Sequence, residues 1–136
     1  MTVVVVGGGP AGMMAAAEAA RGGCRVVLLE RNEKLGKKLY LTGKGRCNVT
    51  NACGREAFFD AVARNPRFLY SAFAAFDNRD MMALLERLGV PLKVERGGRV
   101  FPVSDKSSDV LRAMERYVRE SGVDVRLHTR VVGLET

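Results

Sequence analysis

The fold of this chain is decided by residues 3–30, VVVVGGGPAGMMAAAEAARGGCRVVLLE. A row of valines followed at once by glycine indicates a strand that is buried on both faces. The alanine- and methionine-rich run after the glycines suits a helix, which ends at Arg21 and the two glycines that follow it. A second apolar run then closes on Glu30. The stretch therefore predicts a strand, a helix and a second strand with an acid at its end.

The glycines of this unit match G-x-G-x-x-G, the fingerprint that dinucleotide-binding domains place between a strand and a helix. Gly7 allows the chain to turn sharply off the strand, and Gly9 leaves room for a pyrophosphate to approach the backbone. Gly12 lets the helix pack closely against the strand. Each of the three glycines therefore has a mechanical role in the predicted turn.

The first turn of the helix and the acid after the second strand complete the predicted site. Pro10 and Ala11 open the helix, where free N–H groups and the positive end of the helix dipole attract phosphates. Glu30 follows Gly12 by 18 residues, a spacing that lets its carboxylate accept hydrogen bonds from a ribose diol. We predict a dinucleotide ligand here, and the alternative is a tight turn that binds nothing.

Length and composition set the class of protein. A chain of 136 residues is long enough for one domain with a buried core. The apolar start lacks a basic region before it and is broken by glycines and a proline, so it does not read as a signal peptide, and no window is long enough to span a bilayer. The 3 cysteines have no regular spacing and do not suggest a disulfide framework. We expect a cytoplasmic protein without a membrane contact or a metal site.

The net charge of +7 is concentrated in residues 31–55, which carry a local balance of +6. This segment is rich in glycine and lacks periodicity apart from a short apolar run at residues 39–41, and long irregular segments tend to be functional. Glycines, cations and small polar side chains are the inventory of an anion site, whereas the alternative is a solvated basic loop. The sequence after Lys44 does not fit a P-loop, which argues against ATP hydrolysis. The cations are Arg31, Lys34, Lys37, Lys38, Lys44, Arg46 and Arg55.

The remaining elements are predicted from periodicity. Phenylalanines at helical spacing predict two short helices over residues 56–64 and 66–76, with these rings in the core. A third helix is predicted to end at Gly89, and alternation around a glycine pair predicts an antiparallel hairpin of residues 92–95 and 99–102. A helix over 107–120 and a strand over 123–135, with His128 exposed on it, return the chain to the parallel sheet. The fold class is therefore α/β.

Two motifs carry a resemblance to a known family. The N-terminal fingerprint is similar to that of the two-dinucleotide-binding-domain flavoproteins. Residues 36–51, GKKLYLTGKGRCNVTN, together with residues 98–102, GRVFP, resemble the bacterial NAD(P)/FAD-dependent oxidoreductases described as aminoacetone-oxidase-like or bile-acid-reductase-like. That family usually has a glycine where Lys44 stands. The resemblance covers nearly the whole chain, but only the N-terminal part of such a protein.

The resemblance implies a Rossmann-like FAD/NAD(P)-binding domain, a parallel sheet with helices on both faces plus a small antiparallel hairpin. It implies FAD as the cofactor, with Glu30 on the adenosine ribose, and NAD(P)H as the hydride donor. It also implies that the basic loop, residues 31–55, lies near the pyrophosphate and the flavin and that Val131 borders the adenine. The cofactor-binding residues expected on this basis are Gly7, Gly9, Pro10, Ala11, Gly12, Glu30, Arg31, Lys37, Lys38, Gly45, Arg46, Cys47, Asn48 and Val131.

Cys47 has two interpretations. It is either a thiol beside the flavin that nearby cations make reactive, or a small residue that fits a tight loop, which we favour. A disulfide with Cys53 is not expected in the cytosol. No catalytic acid or base can be assigned. Members of the family continue with a substrate domain and a C-terminal segment that completes the flavin pocket, so we expect residues 1–136 to be a truncated FAD-binding domain that is inactive alone and retains flavin weakly or not at all.

Three functions remain open at this point. The leading one is the nucleotide-binding part of an FAD-dependent oxidoreductase with a small-molecule substrate. The second keeps the fold but makes the ligand NAD, because Glu30 suits either ribose. The third is an RNA-binding module that uses residues 31–55, although Tyr40 is the one aromatic residue among those cations and stacking would need more.

Overall fold

The computed structural model describes residues 1–135 and contains two small sheets. The first sheet is parallel in the order β1-β2-β6, and the second is antiparallel in the order β3-β5-β4. The strands are β1 (Thr2–Val6), β2 (Arg25–Leu29), β3 (Thr50–Asn51), β4 (Leu92–Glu95), β5 (Arg99–Pro102) and β6 (Asp124–Arg126). The helices are α1 (Pro10–Arg21), α2 (Lys37–Leu41), α3 (Arg55–Asp60), α4 (Tyr70–Ala75), α5 (Asn78–Arg87) and α6 (Ser107–Glu120).

The unit of β1, α1 and β2 forms as the glycine pattern predicts. Gly7 leaves the end of β1 with a φ of +100°, a conformation that glycine adopts without steric cost. A side chain at Gly12 would place its Cβ 1.8 Å from the carbonyl oxygen of Gly7, so only glycine allows α1 to lie this close to the turn. The helix then ends at Arg21, and Gly22 and Gly23 lead into β2 as predicted.

The hydrophobic core lies on one face of the parallel sheet, where α1 packs against β1 and β2 and α6 packs against α1. Alternate residues of β2, Val26 and Leu28, are fully buried on this face. The same core cluster includes helical residues from α1 and α6, among them Met13, Ala16, Ala17, Val110, Met114 and Val118. Burial of this apolar surface is the main stabilising contribution to the fold.

The opposite face of the parallel sheet is open within residues 1–135. Val4 and Val6 of β1 are 56% and 60% exposed, so the prediction that this strand is buried on both faces is wrong for one of them. The predicted fold class, a Rossmann-like parallel sheet with helices plus a small antiparallel sheet, is confirmed. In the part of the chain that the structure describes, however, no helix covers the face that carries these two valines.

The predicted hairpin is present as β4 and β5, joined by a 3₁₀ turn at Arg96–Gly98. It gains a third strand that periodicity did not indicate, because β3 pairs with β5 through Thr50 opposite Val100 and Asn51 opposite Arg99. Part of the segment predicted to be irregular is therefore ordered as the short helix α2, a 3₁₀ turn at Thr42–Gly45 and this short strand.

The two short aromatic helices are shorter than predicted, and their rings form a cluster separate from the main core. Phe58 and Phe73 have ring centroids 4.4 Å apart, and Phe59 lies 4.7 Å from Tyr70. The prediction of a core position is wrong for Phe68, which is 79% exposed, because it lies in a 3₁₀ turn on the surface rather than on the inner face of a helix. Phe76 is also exposed, at 39%.

The C-terminal elements differ in how closely they follow the pattern. Helix α5 begins after a capping box formed by Asp77 and Asp80, and α6 has the predicted bounds. The last strand is limited to Asp124–Arg126, because the chain leaves the sheet where His128 takes a φ of +52°. His128 is exposed as predicted, but it lies outside the strand. No helix among residues 1–135 is long and apolar enough to cross a membrane.

The turn geometry predicts opposite outcomes for two glycine substitutions. Gly12→Ala should lower the free energy of unfolding by about 3 kcal/mol, because overpacking against the Gly7 carbonyl must displace α1. Gly9→Ala should leave stability nearly unchanged, because Gly9 has a φ of −76° and no atom within 4 Å of an added Cβ. Urea unfolding of the two variants measures both effects. Equal stability of the two variants would contradict this account of the turn.

Candidate dinucleotide-binding site

A pocket of about 480 Å³ opens at the carboxyl ends of β1 and β2, the edge at which parallel α/β sheets bind ligands. It brings together residues from the glycine turn, the end of β2, the start of the basic loop and the segment after β6. The predicted site residues that line it are Gly7, Gly9, Pro10, Glu30, Arg31, Lys37, Lys38 and Val131.

Glu30 is the central acidic group of this pocket, and only 7% of it is exposed. Its Oε2 accepts a hydrogen bond from the backbone N–H of Gly8 at 2.7 Å. Its Oε1 accepts from the backbone N–H of Asn32 at 2.8 Å and from the Asn32 side-chain amide at 2.6 Å. The carboxylate is therefore held rigidly between the glycine turn and the end of β2.

Hydrogen bonding keeps this buried carboxylate ionised. Burial raises the pKa of Glu30, but the N–H groups of Asn32 and Gly8, with the Asn32 amide and the charge of Arg31, together bring the pKa below its ordinary value. An ionised carboxylate is an acceptor only. The group that faces this part of the pocket is thus suited to bind hydroxyl donors, as the spacing from Gly12 predicts.

Two residues that support Glu30 were missed by the sequence reasoning. A side chain on Gly8 would place its Cβ 2.3 Å from the end of the Leu35 side chain and 3.1 Å from the Glu30 carboxylate, so a residue other than glycine at this position would displace one of these two side chains. Asn32 supplies two of the donors to Glu30. The triple glycine and an asparagine two residues after an acid were the available signals, since Asn commonly bonds to neighbouring groups at that spacing.

The N-terminus of α1 contributes to the same pocket. Gly9 is the N-cap residue, no side chain caps the helix, and Pro10 occupies the first helical position. The first N–H groups of this helix therefore lack a side-chain acceptor and carry the positive end of the dipole. Ala11 lies in the same turn, so this end of the helix is suited to bind an anion.

Basic residues form part of the lining of this pocket. Arg31, Lys37 and Lys38 line it, and Lys37 pairs with Glu33 at 3.2 Å on the exposed surface. Thr129 and Arg130 also line it and were not predicted. They reach the pocket because the Thr129 N–H donates to the Glu30 carbonyl at 2.9 Å, which keeps the chain beside β2 after β6 has ended.

Four predicted residues from the second half of the basic loop lie elsewhere. Gly45, Arg46, Cys47 and Asn48 do not line the pocket that contains Glu30. The Arg46 guanidinium instead pairs with Glu95 at 2.5 Å and with Asp105 at 2.6 Å. Direct contact of these four residues with a cofactor stays a prediction.

The fully buried Cys47 lines a second, apolar pocket of about 260 Å³, which shares Pro10 with the first. Ala11 also faces this space, so the two pockets meet at the first turn of α1. The remaining lining is entirely apolar and consists of Met14, Leu39, Val49, Met81, Val110 and Met114.

The environment of Cys47 favours the packing interpretation over the reactive one. Burial raises the pKa of the Cys47 thiol, and a hydrogen bond with Thr42 offsets this only in part. A thiol with a raised pKa is a poor nucleophile at neutral pH. All three cysteines are free, so the disulfide that was judged unlikely is absent among the described residues.

Lys44 takes a backbone conformation that explains the usual glycine at its position. Its φ is +57° and its ψ is +42°, in the left-handed region, and it lies between Gly43 and Gly45, which also have positive φ. A side chain in this region costs about 1 kcal/mol. The loop therefore keeps the left-handed turn that a glycine would adopt more easily, although a lysine occupies this position.

The comparisons with known proteins agree with the geometry. The family described as "HI0933-like protein Rossmann domain" matches residues 1–136. The chain belongs to this family. The predicted resemblance is thereby confirmed, as is the predicted Rossmann fold. No cluster of three or more potential metal ligands occurs among residues 1–135.

Two curated relatives and one solved structure illustrate the range of similar proteins. The chain is 34% identical to the 3-dehydro-bile acid delta(4,6)-reductase of Clostridium scindens and 29% identical to the ribosomal RNA dihydrouridine synthase of Escherichia coli. Each alignment covers 96% of this chain and 32% of the relative, so the chain spans about a third of their length. A flavocytochrome c3 fumarate reductase structure in its open conformation superposes with a TM-score of 0.61 at 26% identity, over 98% of this chain and 28% of that one.

The environments of the cysteines predict an order of alkylation. Under native conditions at pH 8, iodoacetamide should modify Cys24 and Cys53, which are partly exposed, well before the buried Cys47. Peptide mass spectrometry over time measures the order, and urea-unfolded protein, in which all three thiols should react alike, is the control. Modification of Cys47 first would restore the reactive-thiol interpretation.

Proposed function

We propose that residues 1–136 form the FAD-binding domain of a flavin-dependent oxidoreductase. The observation that carries this proposal is the ionised Glu30 carboxylate, fixed beside the Gly8 N–H in one pocket with the uncapped N-terminus of α1. In dinucleotide-binding folds the helix N-terminus binds the pyrophosphate and the acid binds the diol of the neighbouring ribose, so both groups are needed in one pocket. The basic side chains around the pocket complement the two negative charges of a pyrophosphate.

The chemistry of the pocket fits the adenosine diphosphate part of FAD. Glu30 would accept hydrogen bonds from the adenosine ribose, and Gly9 with the first turn of α1 would bind the phosphates. Space for this approach exists, because nothing lies within 4 Å of a Cβ built on Gly9. Val131, which is half-buried and lines the pocket, would border the adenine.

The adjoining apolar pocket favours FAD over NAD. It meets the phosphate-binding turn at Pro10 and Ala11, and its lining is apolar, as suits a flat aromatic ring system. A place for Cys47 near the flavin, as a packing residue, agrees with this arrangement. Asn48 precedes the lining residue Val49 in the chain, and its contact with the flavin is proposed from the family resemblance alone. A domain that binds only NAD would use the first pocket and leave the second without a ligand.

FAD supplies hydride transfer when bound, and NAD(P)H is the proposed donor. The contribution of this chain is to bind and orient the cofactor. Glu30 is the only carboxylate among the described residues that line the pocket, and we assign it to the ribose rather than to catalysis, because Gly8 and Asn32 hold it in place. Residues 1–136 alone are proposed to be inactive and to retain FAD weakly, since the curated relatives are about three times as long. The proposed location is the cytoplasm.

The substrate remains the open part of this proposal, and the relatives suggest two classes. A small molecule is the leading candidate, since the relative from Clostridium scindens is named for a bile acid substrate. RNA is the second candidate, supported by the name of the Escherichia coli relative and by the exposed cations at Lys34, Lys38 and Lys44. An RNA contact through these lysines should weaken steeply with salt, which a binding assay at two salt concentrations measures.

A matched pair of glycine variants tests FAD binding. Gly9 and Gly54 are both N-cap residues with extended backbone, φ −76° and −74°, and neither has an atom within 4 Å of an added Cβ. Gly9→Ala in the native polypeptide should weaken FAD binding by about tenfold or more, because the methyl group blocks the approach of the pyrophosphate. Gly54→Ala should bind like the wild type. Flavin fluorescence titrations, repeated with NAD and with residues 1–136 alone, measure the affinities.

Unchanged FAD affinity of Gly9→Ala would contradict the proposed site. Tight binding of NAD, with no binding of FAD by the native polypeptide, would favour the nicotinamide dehydrogenase instead. Residues 1–136 that purify with stoichiometric flavin and turn over a reductant would contradict the proposal that the domain needs further segments.

A further inference from the structure

Arg46 belongs to a compact cluster of four charges that the proposed function leaves unexplained. Its Nε and Nη2 both donate to Oδ1 of Asp105, at 2.9 Å and 2.6 Å, and Nη2 also donates to Glu95 at 2.5 Å. Lys93 donates to the other Asp105 oxygen at 2.7 Å and lies 3.5 Å from Glu95. Two cations thus face two carboxylates, and the cluster is electrically balanced.

The side chains of this cluster are only partly accessible, with exposed fractions between 28% and 41%. The Arg46 guanidinium also lies over the ring of Phe101, 4.2 Å from its centroid. Planar stacking and a forked hydrogen-bonding pattern are interactions that lysine cannot reproduce. Arg46 is therefore held by three different groups, and all of them belong to the hairpin or the turn after it.

The loop that carries Arg46 requires such support, because its backbone is strained. Lys44 and Cys47 are non-glycine residues with φ of +57° and +59°. Such conformations persist when the surrounding structure over-determines them. The loop packs against the hairpin at Gly43 as well, where an added Cβ would lie 3.2 Å from the Phe101 ring and 2.8 Å from the Asn48 nitrogen.

A second set of contacts ties the end of the same loop to the hairpin. The Asn51 side chain donates to the Gly97 carbonyl at 2.8 Å, and the Ala52 N–H donates to the Gly98 carbonyl, also at 2.8 Å. A Cβ on Gly98 would lie 2.5 Å from the Asn51 side-chain oxygen. Hydrogen bonds fix the strand end of the loop, and the charge cluster fixes its turn.

We propose that Arg46 is a positioning residue, which with Lys93, Glu95 and Asp105 forms an electrostatic clamp that sets the conformation of residues 42–48. The clamp binds the loop to the hairpin, so Arg46 acts on the cofactor through the placement of Cys47 and Asn48 and does not contact the phosphates. The effect of the clamp on FAD binding rests on the proposed function, whereas the contacts that form the clamp do not depend on it.

A double-mutant cycle separates the clamp from a direct phosphate contact. Arg46→Gln and Asp105→Asn in the native polypeptide should each weaken FAD binding by about three- to tenfold, and the double variant should bind no more weakly than either single one. Asparagine tolerates the left-handed conformation that Asp105 adopts, with φ +56°, so Asp105→Asn adds no strain. Flavin fluorescence gives the affinities.

The matched control is Asp124→Asn, which removes an exposed ion pair with Arg126, 2.8 Å apart, far from the loop in sequence. It should leave the affinity for FAD unchanged. If Arg46 contacts the phosphates, Asp105→Asn should instead retain or tighten FAD binding while Arg46→Gln weakens it, and that result would overturn the proposal. If Arg46→Gln fails to fold, Arg46→Lys replaces it in the same measurement, because lysine keeps the positive charge but lacks the paired donors of the guanidinium.

Hydrogen exchange tests the clamp independently of any cofactor. The Cys47 N–H donates to the Thr42 carbonyl at 3.0 Å and closes the loop, so its exchange reports loop opening. Arg46→Gln and Asp105→Asn should accelerate exchange across residues 42–48 by similar factors, without a matching change in α1. Unchanged exchange would refute the clamp. If the two variants exchange faster but the wild-type polypeptide binds no FAD, the clamp is supported and only the proposed function is refuted.

Discussion

The close contact between Gly12 and the carbonyl of Gly7 is the constraint on which the rest of this structure depends. Because no side chain fits there, α1 starts directly against the turn that leaves β1, and its N-terminus lies at the sheet edge. The same compact turn directs the Gly8 N–H to the Glu30 carboxylate, where Asn32 completes the set of donors. Helix packing, anion attraction and a fixed carboxylate therefore have one steric origin, and the ligand pocket is a consequence of how the first two strands are connected.

The parts of the fold that could be predicted are those whose signals are local. The turn at Gly7, the capped helix α5 and the bounds of α6 follow from residue types within a few positions. Strand β3 could not be predicted in this way, since two residues become a strand only by pairing with β5 nearly fifty positions later in the chain. The core position predicted for Phe68 was wrong for a related reason. Helical spacing shows which residues share a face but does not show whether anything covers that face.

The candidate site shows the same difference between local signals and contacts that are distant in sequence. Glu30 and the fingerprint glycines were predictable because a ligand's shape fixes their spacing, and the first pocket contains them. Thr129 and Arg130 reach it through a backbone contact with Glu30 after β6 has ended, which no pattern in the sequence records. Arg46 shows the converse. Its charge and its place in a glycine-rich loop indicate an anion site, but carboxylates from a distant turn already hold it, and only the folded structure brings those carboxylates near.

The open face of β1 has a consequence for how residues 1–136 behave in solution. Val4 and Val6 present an apolar surface beside a strand edge that pairs with no other strand among residues 1–135. The strand contains no proline and no charged residue, and these are the features with which natural edge strands resist pairing with another chain. Self-association of these residues would therefore begin at β1, and its rate would rise with protein concentration. The same valines that define the strand therefore also expose apolar surface beside its free edge.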